Sequence, residues 1–108
     1  MPIKQIRNKK PLVHCITNYV VANFTANGLL AIGASPVMAD EVTEVEEMVA
    51  ISNALLINIG TINTRTKEAM LIAGKRANEL GIPVVLDPVG VGATSFRQQV
   101  VKELLENV

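Results

Sequence analysis

The chain has 108 residues, with ten Lys plus Arg set against ten Asp plus Glu, so its net charge is zero. That length allows one domain with a real core and is too short for two ordinary ones, while the balanced charge argues against nucleic acid or an anionic membrane as the main partner. With 49% hydrophobic and 19% charged residues, disorder is excluded as well. A lone cysteine, Cys15, can form no internal disulfide and fits a reducing compartment. The basic N-terminus lacks the apolar stretch of a signal peptide, and no apolar run approaches a membrane span. A cytoplasmic protein is expected.

In chain order, Leu12–Ile16 is a short apolar run opened by Pro11 and closed by Thr17-Asn18, which reads as a buried strand. Lys4, Arg7, Lys9 and Lys10 before it read as a solvated basic stretch. From Tyr19 to Ile32 the apolar spacing and length predict a mostly buried helix, capped by Thr17 or Asn18 and ended by Gly33. Gly28 inside it suggests close packing against a neighbour. Ser35–Met38 is a second, very short strand. Thr43-Glu44-Val45-Glu46 fits a capping box for a helix with Val45, Met48 and Val49 as its apolar stripe. Ala54–Ile59 is a third strand, stopped by Gly60. Asn63-Thr64 opens a helix to about Leu80, with Ala69, Ala73, Ala77 and Leu80 facing inward and Gly81 as its end. Pro83–Asp87 is the fourth strand. Gly90 and Gly92 shape the next loop, and a final helix starts near Ser95 with Val100, Val101, Leu104 and Leu105 inward.

The alternation is strand–helix throughout, and the strands are continuous apolar runs. Strands of that kind are covered on both faces, which predicts a mainly parallel sheet in layered α/β packing. Ligands of such sheets bind outside the carboxyl ends of the strands, so the residues to inspect are Thr17-Asn18, Pro36–Met38, Asn58–Thr61 and Asp87–Thr94. Asp87 is the one acidic residue at a strand end. It either faces a Mg²⁺–phosphate group or accepts amide hydrogens from the glycine loop beyond it. Gly90–Ser95 lies where a dinucleotide fingerprint would, but Ser95 stands at the third glycine position and no further strand completes the unit. Glycines required by a tight turn explain it more simply, with phosphate contact through loop amides left open. Asn18 can cap a helix or hold a small polar ligand. Met38 can pack in the core or form an adaptable wall against a flat heterocycle. Gly60-Thr61 offers close backbone approach and a hydroxyl. His14 and Cys15, inside a strand and without a second histidine or cysteine, read as packing residues. No Ser/His/Asp or Cys/His set has a credible arrangement for hydrolysis.

At these strand ends the chain resembles the hydroxyethylthiazole kinases. The resemblance is carried by Pro11–Asn18, Asn23–Leu30, Gly33–Met38, Asn58–Thr61 and Leu86–Thr94, five ordered motifs running from about residue 11 to the end. It implies a ribokinase-like layered α/β/α fold of which residues 1–108 are the N-terminal strand–helix repeats, part of a single kinase domain. It further implies a homotrimer acting in thiamine biosynthesis and salvage. The implied reaction moves the γ-phosphoryl of ATP to the primary alcohol of 4-methyl-5-(2-hydroxyethyl)thiazole, with Mg²⁺. Carried over by position, Met38 and Asn18 match thiazole-binding residues, Gly60 and Thr61 lie in a matching substrate motif, and Asp87 matches an aspartate near the metal and phosphates. The family's ATP-binding arginine and threonine, and its catalytic cysteine, fall beyond Val108, and Cys15 is not that cysteine. Two other functions compete: a nucleotide-binding oxidoreductase domain using the Gly90–Ser95 loop, and a non-catalytic thiazole-binding module.

Overall fold

Four apolar runs pair into one sheet: β1 (Leu12–Ile16), β2 (Ser35–Met38), β3 (Ala54–Asn58) and β4 (Val84–Asp87), in the order β2-β1-β3-β4. Every pairing is parallel. The computed structural model describes residues 2–108. Five helices accompany the strands: α1 (Pro2–Lys9), α2 (Ala22–Ala31), α3 (Val45–Ala50), α4 (Thr64–Glu79) and α5 (Ser95–Asn107). The chain steps outward from β1 to β2, then returns past β1 to β3 and continues to β4. Right-handed crossovers in these two directions place α2 on one face and α3 and α4 on the other. The packing agrees, since α4 lies against β1, β3, β4, α3 and α5, whereas α2 lies against β2. The expected α/β class with a mainly parallel sheet is therefore the one found.

The core lies between the sheet and α3, α4 and α5. Ile16, Leu55, Ile57 and Ile59 from the strand side meet Val45, Val49, Ala69, Met70, Ala73, Ala77, Val100 and Leu104, all essentially without solvent exposure. Each fully buried large aliphatic side chain here contributes about 1.5–3 kcal/mol. The alanines of α4 let its axis approach the strands, as their spacing suggests. Leu80, expected on the same face, is 43% exposed because the helix ends at Glu79. In α5 Val100 and Leu104 point inward, while Leu105 is exposed.

Several local expectations are corrected. The basic stretch before β1 is helical, and α1 closes on the end of α2: a Cβ added to Gly33 would sit 2.6 Å from the Arg7 Cγ. The second helix starts at Ala22 rather than Tyr19 and has no buried residue; Tyr19, Val20 and Phe24 are more than four-fifths exposed. Gly28 approaches nothing, since a Cβ there would meet no atom within 4 Å. The capping box at Thr43 does not form. Its hydroxyl and amide both turn back to the Glu41 carboxylate, and Glu44 occupies the N-cap of α3 without a side-chain bond. The full capping box sits instead at α4, where Asn63 Oδ1 accepts from the Thr66 amide at 2.9 Å and Thr66 Oγ1 accepts from the Asn63 amide at 3.1 Å. Gly33 and Gly81 do follow α2 and α4, both at positive φ.

Coverage on both faces holds only in part. Pairing register aligns Met38, Cys15, Leu56 and Val85 in one row across the sheet. Because strand side chains alternate, that row faces away from α4. It is closed at Cys15 and open at both edges, where Met38 is 40% and Val85 60% exposed.

Replacing Asn63 with alanine removes the acceptor for the Thr66 amide at the start of the helix that brings Ala69, Met70, Ala73 and Ala77 into the core. The expected loss is about 1 kcal/mol of stability, read as a lower denaturation midpoint with unchanged steepness in urea.

Candidate functional site at the carboxyl ends of the strands

The strand order reverses at β1 and β3, whose following loops run to helices on opposite faces of the sheet. A crevice forms at such a switch point. Both loops place polar groups there. After β1, Asn18 Oδ1 accepts from the amides of Val20 at 3.0 Å and Val21 at 3.2 Å. The N-cap of α2 is Val21 and carries no side-chain bond, so the capping role expected for Asn18 is not found at the helix itself; its side chain closes the turn that precedes it. That closure uses only the side-chain oxygen and leaves the amide nitrogen pointing towards the next loop. After β3, Gly60 comes so close that a Cβ would sit 2.7 Å from Asn18 Nδ2 and 3.0 Å from Asn58 Oδ1. Only a residue without a side chain fits this approach. Thr61 follows at φ 52°, a left-handed conformation that a β-branched residue adopts at a cost of about 1–3 kcal/mol.

A pocket of about 120 Å³ opens beside Asn18, lined by Cys15, Thr17, Asn18, Tyr19, Ala22, Met38, Ala39 and Asp40. Met38 and Asn18 thus share one cavity. Gly60 and Thr61 lie next to Asn18 and are not among its lining residues, and Asp87 is further along the sheet edge. The cavity is well below the roughly 300–1,000 Å³ of a typical ligand cleft. Thr17 adds a hydroxyl whose oxygen is buried and has no hydrogen-bond partner, leaving it available to a ligand.

Asp87 is exposed, and its register partner across the β3–β4 pair is Asn58. Asn58 Nδ2 donates to Asp87 Oδ2 at 3.3 Å, while Asn58 Oδ1 accepts from the Gly60 amide at 2.8 Å. A polar ladder therefore crosses three strand ends, from Asn18 past Gly60 and Asn58 to Asp87. Asn58 was not singled out as a site residue from the sequence, although a lone amide closing an apolar strand was a usable signal. The link between Asp40 and Arg65, 3.2 Å long, joins residues too far apart in the chain to be read from spacing.

The two reactive-looking groups of β1 are quiet. Burial pushes the Cys15 thiol up to about 11, so almost no thiolate exists near neutral pH, and the packing role read from the sequence stands. Burial also lowers the His14 pKa, opposed by its bond to the Ala39 carbonyl and by Glu44. The loop after β4 is a turn. Gly90 has φ 68°, the Arg97 guanidinium fills the space a side chain would need, and the Thr94 side chain caps α5 by accepting from the Arg97 amide. Among the described residues no group of three or more His, Cys, Asp or Glu is placed to hold a metal by itself, and no helix is long and apolar enough to cross a membrane.

Convergent polar groups at the switch point of a parallel sheet belong to a layered α/β domain. Residues 3–108 match the model of the hydroxyethylthiazole kinase family, and the chain belongs to that family. It is 70% identical over all of its length to a hydroxyethylthiazole kinase of Lysinibacillus sphaericus (strain C3-41), of which it spans 42%. It is 61% identical over 104 residues to one of Clostridium tetani (strain Massachusetts / E88), covering 96% of this chain and 38% of that protein. Among solved structures, the hydroxyethylthiazole kinase protein from Pyrococcus horikoshii OT3 superposes with a TM-score of 0.94 at 54% identity, over 97% of this chain and 41% of that one. The chain thus spans about two fifths of the length of the curated relatives it matches. The ribokinase-like layering implied by the motifs is the architecture observed.

Gly60→Ala drives a methyl group against two amide side chains of the ladder. The expected result is a loss of about 1–3 kcal/mol together with displaced side-chain amide resonances of Asn18 and Asn58, checked by urea denaturation and by ¹⁵N NMR of the variant against the unsubstituted chain.

Proposed function

We propose that this chain is the N-terminal portion of a kinase domain that phosphorylates the primary alcohol of 4-methyl-5-(2-hydroxyethyl)thiazole with ATP, in thiamine biosynthesis and salvage. The observation that carries the reading is the joint placement of Met38 and Asn18 on one pocket at the switch point, in a chain 70% identical to a hydroxyethylthiazole kinase. Met38 supplies a soft apolar wall for the flat ring. Asn18 and the close backbone at Gly60-Thr61 supply polar contact beside it. The alcohol oxygen attacks the γ-phosphorus, the bond to the β-bridging oxygen breaks, ADP leaves with the electron pair, and the alcohol proton is released. Such a transfer depends on positioning and on stabilising charge, and the residues of this chain position the acceptor.

Mg²⁺ is part of the reading. It commonly takes only one or two carboxylates and completes its shell with water and phosphate oxygens. Asp87 fits that demand, since it is exposed and held by Asn58 through one oxygen, and it would hold the ion directly or through water. The metal would supply charge neutralisation on the phosphates. The groups that bind ATP and the catalytic cysteine belong, in this proposal, to residues that follow Val108. The small cavity supports a pocket completed by a neighbouring subunit of a homotrimer. The buried free thiol of Cys15 supports a cytoplasmic setting.

Three measurements test the proposal. The intact mass of the native protein should clearly exceed that of 108 residues; equality would end the idea of a longer kinase. In thermal-shift titration of that native protein the thiazole alcohol should stabilise it, whereas stabilisation by NAD instead would favour an oxidoreductase. Binding of the alcohol without ATP-dependent phosphorylation would leave a non-catalytic binding module.

Two substitutions divide the roles. Met38→Asp sets a charge against the ring and should weaken thiazole-alcohol binding by more than about tenfold, measured by calorimetric titration. Asp87→Asn should lower kcat by about tenfold or more with thiazole affinity retained; unaltered turnover would remove Asp87 from the phosphate site.

A further inference from the structure

Met38–Asp40 forms one wall of the pocket, yet it ends an edge strand and runs into a loop. β2 has a single neighbour, and the last sheet bond to this segment, from the Ala39 amide to the Cys15 carbonyl, is long at 3.4 Å. Two side chains hold it. Arg65 reaches the Asp40 carbonyl at 3.1 Å and the Asp40 carboxylate at 3.2 Å. That contact is half exposed, and pairs of this kind contribute little. His14 is 0% exposed, and its Nε2 lies 2.7 Å from the Ala39 carbonyl oxygen. Away from water such a bond is short-range, directional and costly to lose.

The bond also fixes the state of the ring. A carbonyl only accepts, so Nε2 carries the proton and Nδ1 carries the lone pair, which is buried without a partner. An aliphatic side chain would fill this interior position without that orphaned nitrogen, so packing alone does not account for an imidazole. His14 is not among the residues lining the pocket. It pairs in register with Leu55, on the sheet face opposite Cys15, and so acts on the site through Ala39.

We propose that His14 is a positioning residue for the acceptor pocket: its Nε2–H, bonded to the Ala39 carbonyl, sets the path of Met38–Asp40 and with it the place of Met38 against the ligand. The inference rests on assigning that pocket to the thiazole alcohol.

The test uses the complete native protein and three variants. His14→Leu removes the donor. His14→Gln keeps an N–H near the Nε2 position, and His14→Asn carries one too short to reach it. His14→Leu should raise the KM for thiazole alcohol about three- to tenfold, the worth of one hydrogen bond, with the KM for ATP unchanged and kcat within about twofold. His14→Gln should restore the wild-type KM and His14→Asn should not. A purely structural histidine would instead lower the amount of active protein without moving KM. If His14→Leu fails to fold, the contrast between glutamine and asparagine still decides. Equal KM values across the folded variants, or a glutamine no better than asparagine, overturns the role of His14 while wild-type turnover upholds the site. A wild-type protein that does not turn over the alcohol defeats the reading of the pocket and this inference with it.

Discussion

The register between β1 and β3 is the constraint on which both core and site depend. Cys15 lies opposite Leu56 and Ile16 opposite Ile57. That alignment sends Ile16 and Ile57 into the same core cluster and brings the loops after the two strands level with each other. A slip of one residue would turn the slipped strand over, taking its fully buried isoleucine, Ile16 or Ile57, out of the core. It would also separate Asn18 from Gly60. Burial of the apolar face therefore fixes the position of the polar ladder, and the site needs no independent energy source to hold its geometry. The pairing of Asn58 with Asp87 extends the same register to the next strand.

The opposite sheet face follows a different rule. One face is sealed by α3, α4 and α5, whereas α2 covers only the β2 side of the other. Tyr19, Val20 and Phe24 project from the turn and helix there, and Val85 remains open at the far edge. Isolated exposed apolar residues are ordinary, but several grouped beside a pocket mark a contact surface. The small cavity between Asn18 and Met38 lies at the edge of this same region. An acceptor pocket completed by another subunit, as proposed, accounts for both observations with one surface.

Much of the fold was legible because it rests on periodicity. All four strands and the four helices between and after them were readable from apolar runs, from Asn63 at a helix start and from Gly33 and Gly81 at helix ends. What failed has physical causes. Helical spacing of apolar residues in 19–32 signals a mostly buried helix, but α2 has no buried residue, because spacing alone does not state whether anything in this chain covers it. Thr43 lost its cap to competition, because Glu41, two residues away, offers a carboxylate to both its amide and its hydroxyl. The basic stretch that became α1 lacked a strong apolar face to reveal it. At the site, Asn18, Met38, Gly60 and Asp87 were visible as strand-end residues. The pairing of Asn58 with Asp87 and the Arg65–Asp40 contact depend on register and on helix placement, which no single segment encodes.

Asp87 illustrates how structure narrows an open choice. The sequence left it facing either a metal–phosphate group or the amides of the glycine loop. Two of the loop amides bond within the loop, Val91 to the Pro88 carbonyl and Ala93 to the Gly90 carbonyl, and the Arg97 guanidinium fills the space at Gly90. The side-chain bond that Asp87 makes among the described residues comes from Asn58, at 3.3 Å, and no salt bridge reaches it. That single amide contact leaves the carboxylate open to solvent, which suits the hydrated cation proposed for this strand end. That is why the proposed role of Asp87 lies with the phosphates and its substitution is expected to act on turnover before stability.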